Sequence, residues 1–279
     1  MQPLPAPFDA LRARHSAVYV IVSPPRCGST AFARVFWEHP SVRYYSHEPF
    51  EVTYYRTAGL DDVATRLADP LDLAAISPAT AGPRGDSLVI KEMPYQVGGH
   101  FPLLASLATQ PLVFLLRDPR QNIASRIEKK LETGDSPFFP LIETGWELIA
   151  QQIDYCRQND VAYLIVEASD FRNAPAMVFP QVFAAFGLDF TPAMLSWRAH
   201  PDIDLDNLGG AHTHLYRRVL TSTGIEPAHE AMPPLDGFTT ENGVRDHVAA
   251  CLEIYHRLCR DARRIVPVDK DSLRLSDSG

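Results

Sequence analysis

The distribution of apolar positions along the chain predicts its architecture. Short apolar runs stand at residues 18–22, 42–45, 88–90, 112–116 and 162–166, each long enough for a strand and too short for a helix. Three are rich in Val, Ile and Leu without strict alternation, as in parallel strands covered by helices on both faces. Between them the period changes. Phe32, Val35 and Phe36 share one helical face, and Ile142, Trp146, Ile149, Ile153 and Tyr155 roughly mark another. A last helix is expected over residues 244–262, with Val248, Leu252, Ile254, Tyr255 and Leu258 inward. Strands alternating with helices predict an α/β fold, a doubly wound parallel sheet of about five strands with helices on both faces.

Two stretches interrupt this alternation. Residues 56–86 read as a helical insertion ending in the loop AGPRGD. Residues 199–240 are polar, with scattered Pro, Gly and His, and are expected to form a loop-rich mobile cap. Residues 1–16 are Pro-rich and read as an N-terminal tail, with no apolar core for a signal peptide or anchor. The 279 residues suit one large domain over 1–279.

Composition narrows the function classes. With 46% hydrophobic and 22% charged residues the chain can bury a real core, which excludes disorder as a whole. A net charge of −8 argues against nucleic acid or an anionic membrane as partner. No apolar run approaches the ~18 residues that span a bilayer. Cys27, Cys156, Cys251 and Cys259 have neither CxxC nor metal-ligand spacing, which fits a reduced, cytoplasmic protein.

The chemistry concentrates at SPPRCGST, residues 23–30, between a strand and a helix start. Unpaired backbone N–H groups at a helix N-terminus attract anions, and Gly28 permits close backbone approach. Ser29 and Thr30 add hydroxyl donors, and Arg26 adds a permanent forked cation. Cys27 is a small loop residue within the same cradle. The lysine of GxxxxGK[ST] is absent, and no strand ends in an obvious magnesium-holding Asp. Asp118 before Pro119 is placed as a helix N-cap instead. ATP chemistry therefore lacks its usual electrostatic parts. A second stretch, LVFLLRDPRQNIASR at 112–126, sets Arg117 at a strand tip and Ser125 two turns into the next helix, where the pair can clamp a second phosphate. Taken alone, it reads as a surface arginine and a helix-packing serine.

Together the two stretches resemble the cofactor motifs of sulfotransferases that use 3′-phosphoadenosine 5′-phosphosulfate (PAPS), in the PRxGST variant of bacterial and tyrosylprotein-type members. The resemblance spans roughly residues 17–170 and is faint beyond. It implies a P-loop-type sheet and metal-independent transfer to a hydroxyl or amine of a small-molecule acceptor, with adenosine 3′,5′-bisphosphate (PAP) as product. It implies that residues 26–30 hold the 5′-phosphosulfate while Arg117 and Ser125 hold the 3′-phosphate. Glu48, in HEPFE, matches the catalytic base, and Lys91, in KEMPYQ, matches the lysine that steadies the departing oxygen.

Other assignments stay open. Glu92 matches the place of the catalytic His of small-molecule sulfotransferases and rivals Glu48, with His47 next in line; Glu51 reads as surface. Arg217 and Arg218 stand roughly where the family closes a loop on the 3′-phosphate. A P-loop nucleotide kinase or ATPase, and a non-catalytic nucleotide-binding module, are the alternative functions.

Overall fold

The structure is a computed structural model that describes residues 4–76, 84–206, 208–209, 213–229 and 231–268, with 213 and 214 described in backbone only. The first half of the AGPRGD loop, and His212 ahead of the Arg217–Arg218 pair, lie outside the described residues.

Seven strands form one sheet: Val18–Val22 (β1), Val42–His47 (β2), Leu71–Asp72 (β3), Ser87–Glu92 (β4), Leu112–Leu116 (β5), Tyr163–Glu167 (β6) and Arg264–Ile265 (β7). Side by side they run β3, β2, β4, β1, β5, β6, β7. Every pairing is parallel except that of β2 with β3. The five expected strands are all present. The sheet is wider than expected because β3 and β7 are two-residue edge strands, too short to carry a periodic signal. β4 also runs two residues past its apolar run, so Lys91 and Glu92 are still strand residues, both buried.

Alternate side chains feed two cores, as the two-residue period requires. Val20, Val22, Ile90 and Phe114 point to one face. There they meet Ala6–Ala13 (α1), Leu60–Ala68 (α4), Phe101–Leu107 (α6), Trp146–Gln158 (α8) and Val244–Leu258 (α12). Tyr19, Ile21, Val89 and Leu115 point to the other face. Its helices are Ser29–Trp37 (α2), Ala168–Asn173 (α9), Pro175–Ala185 (α10) and Thr213–Thr221 (α11). The first sixteen residues are not merely a tail, since α1 buries Phe8 and Leu11. Three further helices, Glu51–Tyr55 (α3), Pro94–Val97 (α5) and Pro119–Glu132 (α7), follow the C-terminal ends of β2, β4 and β5. No helix among the described residues is long and apolar enough to cross a membrane.

The 199–240 segment is tied to the sheet layer by Arg34. This α2 residue is fully buried between the rings of Trp37 and Trp197, 5.1 and 5.0 Å from their centroids. It donates to the carbonyls of Arg198 (2.8 Å) and Val219 (3.2 Å). Burial pulls its pKa down to about 10, which still leaves it cationic at neutral pH.

Candidate active site

β1 lies between β4 and β5, and the chain leaves β1 and β4 toward opposite sides of the sheet. Open α/β sheets bind ligands at the carboxyl ends of strands at such a switch point. Here a cavity of about 550 Å³ opens there, and SPPRCGST forms its floor.

The loop is bent by two left-handed residues, Arg26 (φ 64°) and Gly28 (φ 76°). At Gly28 a Cβ would lie 3.4 Å from the Phe171 ring and would impose a conformation that side chains rarely adopt. The turn delivers the chain into α2, whose first bond runs from Phe32 N–H to the Gly28 carbonyl at 3.0 Å, and no side chain caps that end. The first turn is left with donors aimed outward. Gly28, Ser29 and Thr30 line the cavity. Cys27 does not: its side chain is buried against Pro25 and Asn122, and burial pushes its thiol up to about 12. It packs the underside of the loop.

Arg117 directly follows β5 and donates to the Arg26 carbonyl at 2.8 Å, pinning the strained peptide. Asp118 caps α7 by accepting from Arg120 N–H at 2.9 Å, with Pro119 opening the helix. That cap aims the helix so that Ser125 accepts from Arg26 Nε at 3.3 Å. Arg26, Arg117 and Ser125 therefore meet on one wall. Burial first, then the neighbouring charges of Arg117 and Arg218, pull the Arg26 guanidinium below its ordinary value. Like charges gathered this way, beside an uncapped helix start, suit a polyanion.

Opposite that wall, β2 and β4 run in register, His47 beside Lys91. The next residue, Glu48, takes φ 48°, which turns its side chain into the cavity while its N–H donates to the Lys91 carbonyl at 2.8 Å. Lys91 Nζ donates to Glu48 Oε1, and Gln96 Nε2 donates to Oε2 at 2.9 Å. Burial pushes the Glu48 carboxyl up, but Lys91 and His47 outweigh it and hold the group well below the usual carboxylate range. Glu48 and Lys91 both line the cavity.

The rival bases sit elsewhere. Both Glu92 oxygens accept backbone N–H groups, from Phe50 and Met93, each at 2.8 Å, and the side chain lies outside the cavity wall. Burial, then the charge of Glu48, pushes this carboxyl well above the ordinary range. His47 is likewise off the wall, its Nδ1 2.6 Å from Tyr45 Oη and its ring against Tyr216. Glu51 is buried and on the wall, not at the surface. Of the α11 pair, Arg218 lines the cavity and is paired with Glu226 at 2.7 Å, while Arg217 is exposed and off the wall.

The remaining wall was invisible to local patterns. Tyr55, Met93, Tyr95, Phe138 and Phe139 form an apolar half, crossed by an Arg126–Glu143 ion pair that Tyr54 Oη joins at 3.1 Å. These residues come from separate segments, and no spacing links them. Gln96 had a weak signal: it is five positions past Lys91, in the first turn after the helix-opening Pro94.

Comparison with known proteins finds sulfotransferases. The sulfotransferase domain of the curacin biosynthetic pathway superposes with a TM-score of 0.47 at 15% identity, covering 88% of this chain and 98% of its own. For the sulfotransferase domain of the Synechococcus PCC 7002 olefin synthase the TM-score is 0.49 at 16% identity, covering 87% and 96%. Mouse sulfotransferase SULT7A1, complexed with PAP, gives 0.46 at 11% identity, covering 98% and 93%. No curated protein is significantly similar in sequence. The family model described as sulfotransferase domain matches residues 18–258, from the first residue of β1 to the last of α12. The chain belongs to the sulfotransferase family, whose chemistry is sulfuryl transfer.

Proposed function

We propose that this protein is a PAPS-dependent sulfotransferase acting on a hydroxyl or amine of a small-molecule acceptor, with Glu48 as general base. One observation carries the reading. A cationic, uncapped phosphate cradle and a buried Glu48–Lys91 pair face each other across one cavity of about 550 Å³. PAPS when bound supplies the activated sulfuryl group. The α2 N-terminus, Ser29, Thr30 and Arg26 would hold its 5′ end, and Arg117 with Ser125 its 3′-phosphate. The fit is supported by the like-charged cluster of Arg26, Arg117 and Arg218, which an anion between them would relieve.

The residues of this chain then have separate tasks. Glu48 accepts the proton that the acceptor hydroxyl or amine gives up, so the oxygen or nitrogen keeps the electron pair with which it attacks. Lys91 supplies positive charge beside it, where negative charge builds on the departing oxygen.

A panel of naphthol, octanol and octylamine, chosen to suit the apolar half, incubated with sulfur-labelled PAPS in saturating EDTA, tests this. Transfer of label undiminished by EDTA is the expected result, because Arg26, Lys91 and backbone donors supply the positive charge. Turnover of ATP that stops on chelation and returns with magnesium would establish the kinase reading instead. PAPS binding without transfer to any acceptor would mark a non-catalytic module.

A further inference from the structure

Gln96 belongs to the cavity wall yet is only 3% exposed, and its two polar atoms are treated unequally. Nε2 donates to Glu48 Oε2, the carboxylate oxygen that Lys91 does not take. Oε1 is buried with no hydrogen-bond partner among the described residues. The carboxylate dictates that orientation, since flipping the amide would set Oε1 against Oε2. A side chain selected for stability alone would not leave a buried carbonyl unanswered. We propose that Gln96 is a positioning residue for the reaction: its amide fixes Oε2 of Glu48 and keeps that carboxylate ionised and aimed at the acceptor. The inference rests on the reading of Glu48 as the base.

The geometry supports this over simple packing. Glu48 has a left-handed backbone and two carboxylate oxygens, Oε1 engaged by Lys91 of β4 with His47 Nε2 3.3 Å away, and Oε2 engaged by Gln96 of α5. Gln96 is itself anchored, because its backbone carbonyl accepts from Thr53 Oγ1 of α3 at 3.2 Å. A hydrogen bond to the charged form of a carboxyl lowers its pKa, so losing the amide must raise it. The other groups acting on Glu48 are Tyr45 and His47 of β2, Lys91 and Glu92 of β4, Tyr95 of α5 and Tyr216 of α11, with Glu51 of α3 facing His47. All are unchanged by a substitution at Gln96, so a shift in the pH profile reports the amide.

The test uses Gln96→Leu, Gln96→Glu, Glu48→Gln and the Glu48→Gln/Gln96→Leu double variant, assayed with sulfur-labelled PAPS and the best acceptor of the panel above. Gln96→Leu removes the donor together with the unanswered carbonyl. Leaving Oε2 of the buried Glu48 without its donor should lower the melting temperature modestly, and its PAP affinity should stay at the wild-type level. Its kcat should drop about 10- to 100-fold, the rate equivalent of one hydrogen bond to a charged group. The acid limb of its kcat/KM profile should move to higher pH. Gln96→Glu places a second carboxyl beside the first and should move that limb further; it serves equally if the leucine variant fails to fold. Because the amide acts through Glu48, the double variant should be no slower than Glu48→Gln alone. A near-wild-type rate with an unmoved limb, or a double variant slower than Glu48→Gln by the full leucine factor, overturns the inference while a dead Glu48→Gln keeps the base. A fully active Glu48→Gln overturns both.

Discussion

At Glu48 a non-glycine residue takes φ 48°, and its carboxyl is wholly buried. Left-handed backbone costs about 1 kcal/mol or more at such a residue, and burying a charge costs more unless it is paired. The Lys91 and Gln96 contacts offset the second cost, and the first turns the side chain into the cavity. Glu92, in the neighbouring strand, has the opposite state: a carboxyl raised well above its ordinary range and engaged by backbone only. The two glutamates should therefore respond differently to the same replacement. Glu48→Gln should lower kcat about 10²- to 10⁴-fold with PAP binding near wild type. Glu92→Gln keeps a neutral side chain but loses one acceptor, so it should cost about 1–3 kcal/mol of stability and less activity. Its signature lies in pH. A carboxyl whose folded pKa is raised stabilises fully below its unfolded value and loses that contribution as pH climbs through the folded one. Wild type should thus lose stability from the ordinary carboxylate range upward, and Glu92→Gln should lose less, in denaturant titrations across that window. The positions of Glu48 and Lys91 were legible in short motifs. That Glu92 faces away from the cavity was not, because it depends on strand parity past the end of the apolar run.

At the scale of elements, the cradle and the cap are joined through α2. Arg34 connects the helix that begins at the phosphate loop to the carbonyls of Arg198 and Val219, and Val219 is itself a cavity residue beside Tyr216 and Arg218. In the sequence, AFARVFW reads as an apolar helix with one stray cation. Nothing local shows that two tryptophans 160 positions apart enclose it. Arg34→Met should leave the Arg198 carbonyl without its donor, at about 1–3 kcal/mol, whereas the Val219 carbonyl still accepts from Ser222 Oγ at 2.8 Å. The melting temperature should fall, and calorimetry should show weaker PAP binding because α11 loses its anchor. A variant with lowered stability and undiminished PAP affinity would show that the cap does not contribute to the cofactor site. The five parallel strands needed no such long-range information: buried strands announce themselves as apolar runs, whereas the two-residue edges β3 and β7 are defined only by their neighbours.

Over the whole molecule, the switch point at β1 gathers the ends of β1, β2, β4 and β5 around one opening. The proposed cofactor side of that opening draws on two contiguous motifs, SPPRCGST and RDPRQNIAS, whose order and spacing stand in the sequence. The acceptor side draws on α3, α5, α7 and the 138–143 segment, whose meeting is a property of the fold alone. The central claim is therefore tested most directly on the cofactor side, by calorimetric titration of PAP, AMP and ATP into wild type and Arg117→Ala. PAP should bind far more tightly than AMP or ATP, and Arg117→Ala should erase that preference at about 1.5–3 kcal/mol, the worth of a hydrogen bond to a charged group. ATP bound in preference to PAP, or a preference for PAP that survives Arg117→Ala, would contradict it.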